Sequence, residues 1–293
     1  MNKVFNKTNI LLATLVLIWG AVWPINKIAL AYIPPFLYAS LRTLFGGILL
    51  AIIIAQLWKQ LKWKQHWKAY TISAIFNTVL FFGLHSVGLL YLPGGLFSVI
   101  IYLQPLLLAF LAWLVFGESL TILKISGLCI GFIGIFIVSV DGLTTHLSII
   151  GVLFALATGI SWAVGVIFVK KVSIKINLYW MIAMQNIIGG FILLVISLFT
   201  EDWSTTVWNV ETVFGVVYGF TLGVPIAYII YYYLVNNGNA SKIGSITFLI
   251  PILSVVISVI FIDEPLTNKL FIGMLLVGLS IYLVNYEKKK SSV

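Results

Sequence analysis

Residues 102–121 read YLQPLLLAFLAWLVFGESLT, and residues 248–267 read FLIPILSVVISVIFIDEPLT. Pro105 aligns with Pro251, Glu118 with Glu264 and Thr121 with Thr267, each pair 146 residues apart, and Gly127 with Gly273 extends the register. Upstream, Trp19 aligns with Trp162, Lys27 with Lys170, Arg42 with Gln185, and Gly46-Gly47 with Gly189-Gly190, all 143 apart. Two blocks at nearly one offset define an internal duplication, and a repeat decides the architecture before any single element does.

Both copies are strongly apolar. The 293 residues are 61% hydrophobic and 9% charged, against about 45–50% and about 25% in soluble domains. A soluble fold of this size could not cover so much apolar surface, so lipid is the solvent for most of it. A helix needs about 20 mostly apolar residues to cross a bilayer. Ten stretches qualify: 10–32, 36–57, 69–90, 94–116, 122–140, 148–169, 178–199, 212–236, 240–262 and 268–286. The first has lysines ahead of it and Ala29-Leu30-Ala31 behind, like a secretory signal. Its apolar run is too long for one and carries Asn26 and Lys27, so it reads as a retained span. Cys129 is the only cysteine and forms no internal disulfide.

The net charge of +9 does not point to nucleic acid, because the lysines lie between apolar stretches and not on one polar face with readers. It points to topology. With the N-terminus inside, fourteen lysines fall in inside segments: Lys3, Lys7, Lys59, Lys62, Lys64, Lys68, Lys124, Lys170, Lys171, Lys175, Lys242, Lys288, Lys289 and Lys290. Lys269 alone falls outside, Lys27 and Arg42 lie within spans, and acids cluster outside in TEDWSTTVWNVE (200–211). This bias predicts a multi-pass protein of the cell (cytoplasmic) membrane with both termini cytoplasmic. Five spans per copy is an odd number, so the second copy must enter from the opposite side. The predicted fold is an all-α membrane protein: ten transmembrane helices as two inverted five-helix repeats, residues 1–141 and 148–287, around a central cavity. Many secondary transporters are built this way.

The doubled block of proline, twelve residues and glutamate, together with IWGAVWP (18–24) and the ten spans, resembles the drug/metabolite transporter superfamily in its EamA-repeat branch. The resemblance covers nearly the whole chain. It implies a 5+5 inverted arrangement around a cavity and the export or exchange of small metabolites, often amino acids. The second copy departs from the first: WAVGVIFVK (162–170) lacks the proline and second tryptophan of WGAVWPINK (19–27), so only the first half carries what Trp23 and Pro24 do.

Arg42, the single arginine, sits about 9 Å from the outer end of its span at 1.5 Å per residue. A charge within a bilayer costs at least roughly 2.5–3.5 kcal/mol. Arg42 either snorkels to headgroups, bonds backbone or amide groups, or faces a wet cavity and meets a solute carboxylate through its planar fork. Lys27 and His85 lie at a similar depth, and no acid lies in any span, so an anionic group on a solute would complete the set. Lys27 could also snorkel, and His85 could be a neutral, hydrogen-bonded side chain. Trp19, Trp23, Asn26 and Lys27 form one helical stripe that either lines the cavity or packs against neighbours. Asn77, Gln104, Gln185 and Asn186 are amides within spans, which must bind solute or lock helices together. Tyr228, with Tyr231 and Tyr232, gives an aromatic face. Pro24, Pro105, Pro225 and Pro251 are expected to kink their helices. Glu118 and Glu264 are expected to cap the helix that follows each.

The substrate-binding candidates are therefore Arg42, Lys27, Trp19, Trp23, Asn26, Asn77, His85, Gln104, Gln185 and Tyr228. The alternatives are a passive channel or a non-transporting scaffold. An intramembrane enzyme is disfavoured, since no span carries paired aspartates, an H-E-x-x-H pattern or a recognisable nucleophile turn. No cofactor or metal site is expected. The expected partners are a small solute and the lipid bilayer, with the chain acting as a monomer or homodimer.

Overall fold

A computed structural model describes residues 7–88, 91, 100–102, 104–139, 148–261 and 268–285. Glu264, Thr267 and the side chains of Trp23, Lys27 and Pro251 lie outside the described residues. The described residues are helical, with no strand. Helices α1 (Lys7–Ala29) and α2 (Pro35–Ile53) open the chain. Next comes a rod in which α3 (Trp63–Ala74) passes through a π-helical segment, Ile75–Leu80, into α4 (Phe81–Gly88). Then follow α5 (Gln104–Phe116), α6 (Ile122–Ser139), α7 (Ile149–Val172) and α8 (Leu178–Thr200). A second rod runs from α9 (Val210–Tyr218) through a π-helical segment, Gly219–Ile226, into α10 (Ala227–Asn237). Helices α11 (Ala240–Ile246), α12 (Leu249–Phe261) and α13 (Asn268–Asn285) complete it. Among the described residues, six segments are long and apolar enough to cross a bilayer: Lys7–Asn26, Pro35–Ile53, Trp63–Gly88, Ile149–Val172, Leu178–Thr200 and Val210–Asn237. Shorter apolar helices cover Gln104–Phe116, Ile122–Gly134 and Phe271–Val284.

These helices are apolar on nearly every face, which in water would be fatal and in lipid is required. Ile52, Phe191, Phe199 and Leu275 point outward from the bundle. Polar side chains point inward, with Ser73, Asn77, Thr78, Gln185 and Asn186 fully buried.

The packing repeats as the sequence does. Helix α1 lies on α12 and on the Val210–Asn237 rod, while α7 lies on α5 and on the Trp63–Gly88 rod. Between the copies, α2 packs on α8 and α6 on α13. The two π-helical segments occupy equivalent places in the two copies. So do the breaks before α5, at the Tyr102 turn, and before α12, at Thr247–Phe248. The proline expectations are refined accordingly: Pro24 lies within continuous α1, Pro225 sits inside a π-helical segment, and Pro105 is the second residue of α5 and so bends no interior turn. The first π segment was invisible in the sequence, because Ile75–Leu80 carries no proline or glycine to mark it, whereas Pro225 marked the second.

Two carboxylates tie the copies together at opposite ends of the bundle. Glu201 Oε1 and Oε2 accept from Phe36 N (2.7 Å) and Leu37 N (2.8 Å), capping α2, whose Pro35 has no N–H to offer. Ser197 Oγ donates to the same carboxylate at 2.7 Å. Negative charge at a helix N-terminus is favourable. We expect Glu201→Ala to destabilise the fold by about 1–3 kcal/mol by leaving these donors unpaired, read as a lower midpoint of thermal unfolding in detergent; Glu201→Gln should recover part of it.

At the other end, Gly117 has a φ of +67°, which ends α5 in a left-handed turn and swings Glu118 away from the next helix. Glu118 Oε1 instead accepts from Lys170 Nζ (2.9 Å) and from Ala240 N (3.0 Å) at the start of α11. The expectation that Glu118 caps the helix following it is therefore corrected: Thr121 Oγ1 does so, accepting from Lys124 N at 3.3 Å. The same end holds Asn177 Nδ2 donating to Gln60 Oε1 (2.6 Å) and Trp180 Nε1 donating to the Leu57 carbonyl (2.9 Å). It is the lysine-rich end, with Lys59, Lys62, Lys170, Lys171 and Lys175.

Candidate binding cavity

Where α1, α2, α4, α5, α7 and the second π-helical segment converge, they leave a cavity of about 100 Å³. Helix α1 contributes Trp19, Val22 and Asn26, one stripe of its surface. Arg42 comes from α2, His85 and Phe82 from α4, Gln104 from α5, Trp162 from α7, and Gly223 and Tyr228 from the second rod. Six sequence candidates therefore meet here: Trp19, Asn26, Arg42, His85, Gln104 and Tyr228.

Trp19 and Trp162, equivalent positions of the two repeats, meet edge to face with ring centroids 5.9 Å apart. Tyr228 packs against both, at 6.1 Å and 5.7 Å, and Phe81 lies 4.8 Å from Trp162. Trp19 Nε1 donates to the Gly223 carbonyl at 3.2 Å. That carbonyl lies in a π-helical segment, where the wider ladder leaves acceptors free for side chains.

Arg42 does not reach the bundle surface; it is 7% exposed. Its guanidinium lies over the rings of Phe82 (4.5 Å) and Tyr38 (5.2 Å). Nη1 donates to Asn26 Oδ1 at 3.2 Å, and Tyr38 Oη donates to the same oxygen at 2.7 Å. Two donors on one atom require it to be the amide oxygen. The stem of Arg42 packs on Gly219, where a Cβ would come within 2.8 Å of Arg42 Cβ. Among the described residues Arg42 has no acidic partner, and its buried Nε has no hydrogen-bond partner. Ring contacts are worth about 0.5–2 kcal/mol each, and one bond to a neutral amide about 1.5–3 kcal/mol. A buried guanidinium costs several kcal/mol, so its surroundings only partly satisfy it. Gln104 Oε1 is a second buried atom without a hydrogen-bond partner among the described residues. The arrangement offers a guanidinium fork and a carbonyl oxygen to a ligand with aromatic walls around it.

Asn77 and Gln185 are brought together elsewhere. Ser73 Oγ donates to Gln185 Oε1, Asn77 Nδ2 donates to Ser73 Oγ (3.1 Å), and Thr78 Oγ1 donates to the Gln185 carbonyl (3.2 Å). This cluster joins the first rod to α8 away from the cavity lining. Trp23 and Lys27 have side chains outside the described residues. Trp162, Phe81, Phe82 and Tyr102 line the cavity without having been among the substrate-binding candidates. Trp162 carried a signal, its repeat equivalence to Trp19; an aromatic residue in an apolar run carries none. Among the described residues no three His, Cys, Asp or Glu side chains come close enough to hold a metal ion.

A profile of the EamA-like transporter family matches residues 6–140 and again residues 149–286. An uncharacterized transporter of Bacillus subtilis (strain 168), YvbV, is 43% identical over 283 residues, 97% of this chain and 93% of its own. A probable amino-acid metabolite efflux pump of Escherichia coli (strain K12) is 23% identical over 94% of each chain. A solved crystal structure superposes with a TM-score of 0.83 at 19% identity, covering 95% of this chain and 96% of that one, a likeness of fold alone. Two matches to one repeat, spanning nearly the whole sequence with a cavity between them, make this chain a member of the EamA-like transporter family.

Proposed function

We propose that the protein is a secondary transporter that exports or exchanges a small carboxylate-bearing metabolite, an amino acid or a related acid, across the cytoplasmic membrane by alternating access. The observation that carries this reading is Arg42: a guanidinium buried in a cavity wall, held by Asn26 and two rings, with no acid beside it among the described residues. A solute carboxylate supplies the missing charge, and a fork of N–H donors matches it in geometry.

Alternating access draws on the repeat. Two similar halves threaded in opposite senses can exchange conformations at little net cost, which moves the opening from one side of a fixed site to the other. The paired helix contacts and paired π-helical segments support ten spans in an inverted 5+5 arrangement. In this reading the lysine-rich end faces the cytoplasm, where Glu118, Lys170 and Ala240 tie three helix ends together below the cavity. That tie must loosen when the cavity opens inward.

The test uses the purified full chain in liposomes. Counterflow of a labelled amino acid or organic acid, saturable and dependent on unlabelled acid inside, is the expected result, with tags on both termini accessible from one side only. Termini on opposite sides would sink the inverted arrangement, and failure of every carboxylate tried would sink the substrate assignment.

A further inference from the structure

We infer that the preferred solute is a net monoanion, a monocarboxylate with a flat apolar body and no free ammonium, and that its movement is electrogenic, so that a membrane potential negative inside drives export without a coupling ion. This rests on the reading above that Arg42 receives a carboxylate.

The first support is the charge balance of the site. All eight Asp and Glu residues of the chain lie outside the ten apolar stretches. The described cavity wall holds one formal charge, that of Arg42. A monoanion neutralises it. A zwitterion brings an ammonium as well, which repels the guanidinium and must shed its water in a place with no counter-charge.

The second support is the aromatic wall. An ammonium can be held by the faces of aromatic rings instead of an acid. Here the rings are engaged with one another and with Arg42. Phe82 and Tyr38 flank Arg42 itself. Trp19 packs on Trp162, Tyr228 and Tyr231, and Trp162 on Tyr231 and Phe81, all with centroids 4.8–6.1 Å apart. What the described lining offers an ammonium is neutral acceptors, Gln104 Oε1 among them, and no carboxylate, against three N–H donors. The aromatic side chains that line the cavity suit a flat apolar body.

The consequence for energetics follows from the same charges. Arg42 belongs to the protein, so each cycle carries the solute's single negative charge across. A fiftyfold gradient of a monovalent anion balances about 100 mV. No titratable acid in a span is needed to power export, and the sequence provides none.

Matched acids test this in liposomes containing the full chain. Phenylpyruvate and phenylalanine share ring, carboxylate and size, and differ at the ammonium. Phenylpyruvate is expected to show a Michaelis constant at least tenfold lower. With a potassium gradient and valinomycin, an inside-positive potential should accumulate it about fiftyfold, with a current of matching sign on a solid-supported membrane. Phenylalanine moving as well as phenylpyruvate, or accumulation indifferent to potential, overturns the inference. If Arg42→Gln abolishes that movement, the carboxylate reading still stands. Saturable movement of neither acid, with the protein eluting as a folded species, overturns both.

Discussion

Replacing Arg42 with alanine is expected to reduce solute counterflow by at least about 100-fold while leaving the fold intact. The magnitude follows from burial. Removing one partner of a buried charge pair costs about 3–5 kcal/mol, and each 1.4 kcal/mol is a factor of ten. The guanidinium is 7% exposed, and its Nε has no hydrogen-bond partner among the described residues. The variant also frees Asn26 Oδ1 from one of its two donors and leaves a gap between Tyr38 and Phe82. Stability without solute should not fall, because the substitution removes an incompletely satisfied buried charge along with its contacts. Arg42→Lys separates charge from geometry. An ammonium keeps the sign but not the planar fork, so roughly tenfold residual loss is expected where only charge matters, and loss close to that of alanine where the fork matters. Initial rates in liposomes, set beside thermal unfolding in detergent, decide it; wild-type rates in Arg42→Ala would remove Arg42 from the site.

The sequence carried the polar half of this site and little of its aromatic half. Arg42, Asn26, His85 and Gln104 stood out because polar groups in apolar helices must find partners, and a helix bundle gathers such groups toward its interior. The same rule could not say which partner each would find. Asn77 and Gln185 obey it by bonding within a cluster that includes Ser73 and Thr78, whereas Gln104 Oε1 faces a cavity. Only the packing of the rods on α7 and α8 separates the two outcomes. Phe81 and Phe82 were hidden for the opposite reason: in a chain with 20 phenylalanines, one more in an apolar run has no local mark. Glu201 was read as part of an acidic loop, and its role as a cap for α2 required knowing that residues 165 positions away share one end of the bundle. The repeat was legible throughout, because equivalent residues must make equivalent contacts, and Trp19 meeting Trp162 is its most local expression.

Gly190→Val is expected to prevent normal folding, through backbone rather than side-chain collision. At this crossing α2 and α8 approach through Gly47 on one side and Gly190 on the other, while Gly46 faces the second π-helical segment and Gly189 faces Thr78 of the first. A Cβ at Gly190 would lie 2.6 Å from Leu44 N and 2.8 Å from Leu44 Cα. A Cβ at Gly47 would lie 2.8 Å from both the Ala183 carbonyl oxygen and Ile187 N. Backbone atoms have no rotamer to retreat into, so α2 itself must back away. Small residues at membrane helix crossings exist to allow this approach, since lipid gives little hydrophobic reason for helices to associate and contact packing must supply the attraction. Overpacking typically costs about 1–3 kcal/mol and more where nothing can yield; a branched side chain against a main chain belongs at or above the upper figure. Leu44 is two residues from Arg42, so any protein that does fold should also transport poorly, its guanidinium drawn off Asn26. Gly278→Val is the control, because a Cβ there meets nothing within 4 Å. Size-exclusion elution and thermal unfolding in detergent are the measurements. Gly190→Val should elute as aggregate or melt far below wild type while Gly278→Val matches it; equal behaviour of the two would mean that α2 and α8 do not cross at this spacing.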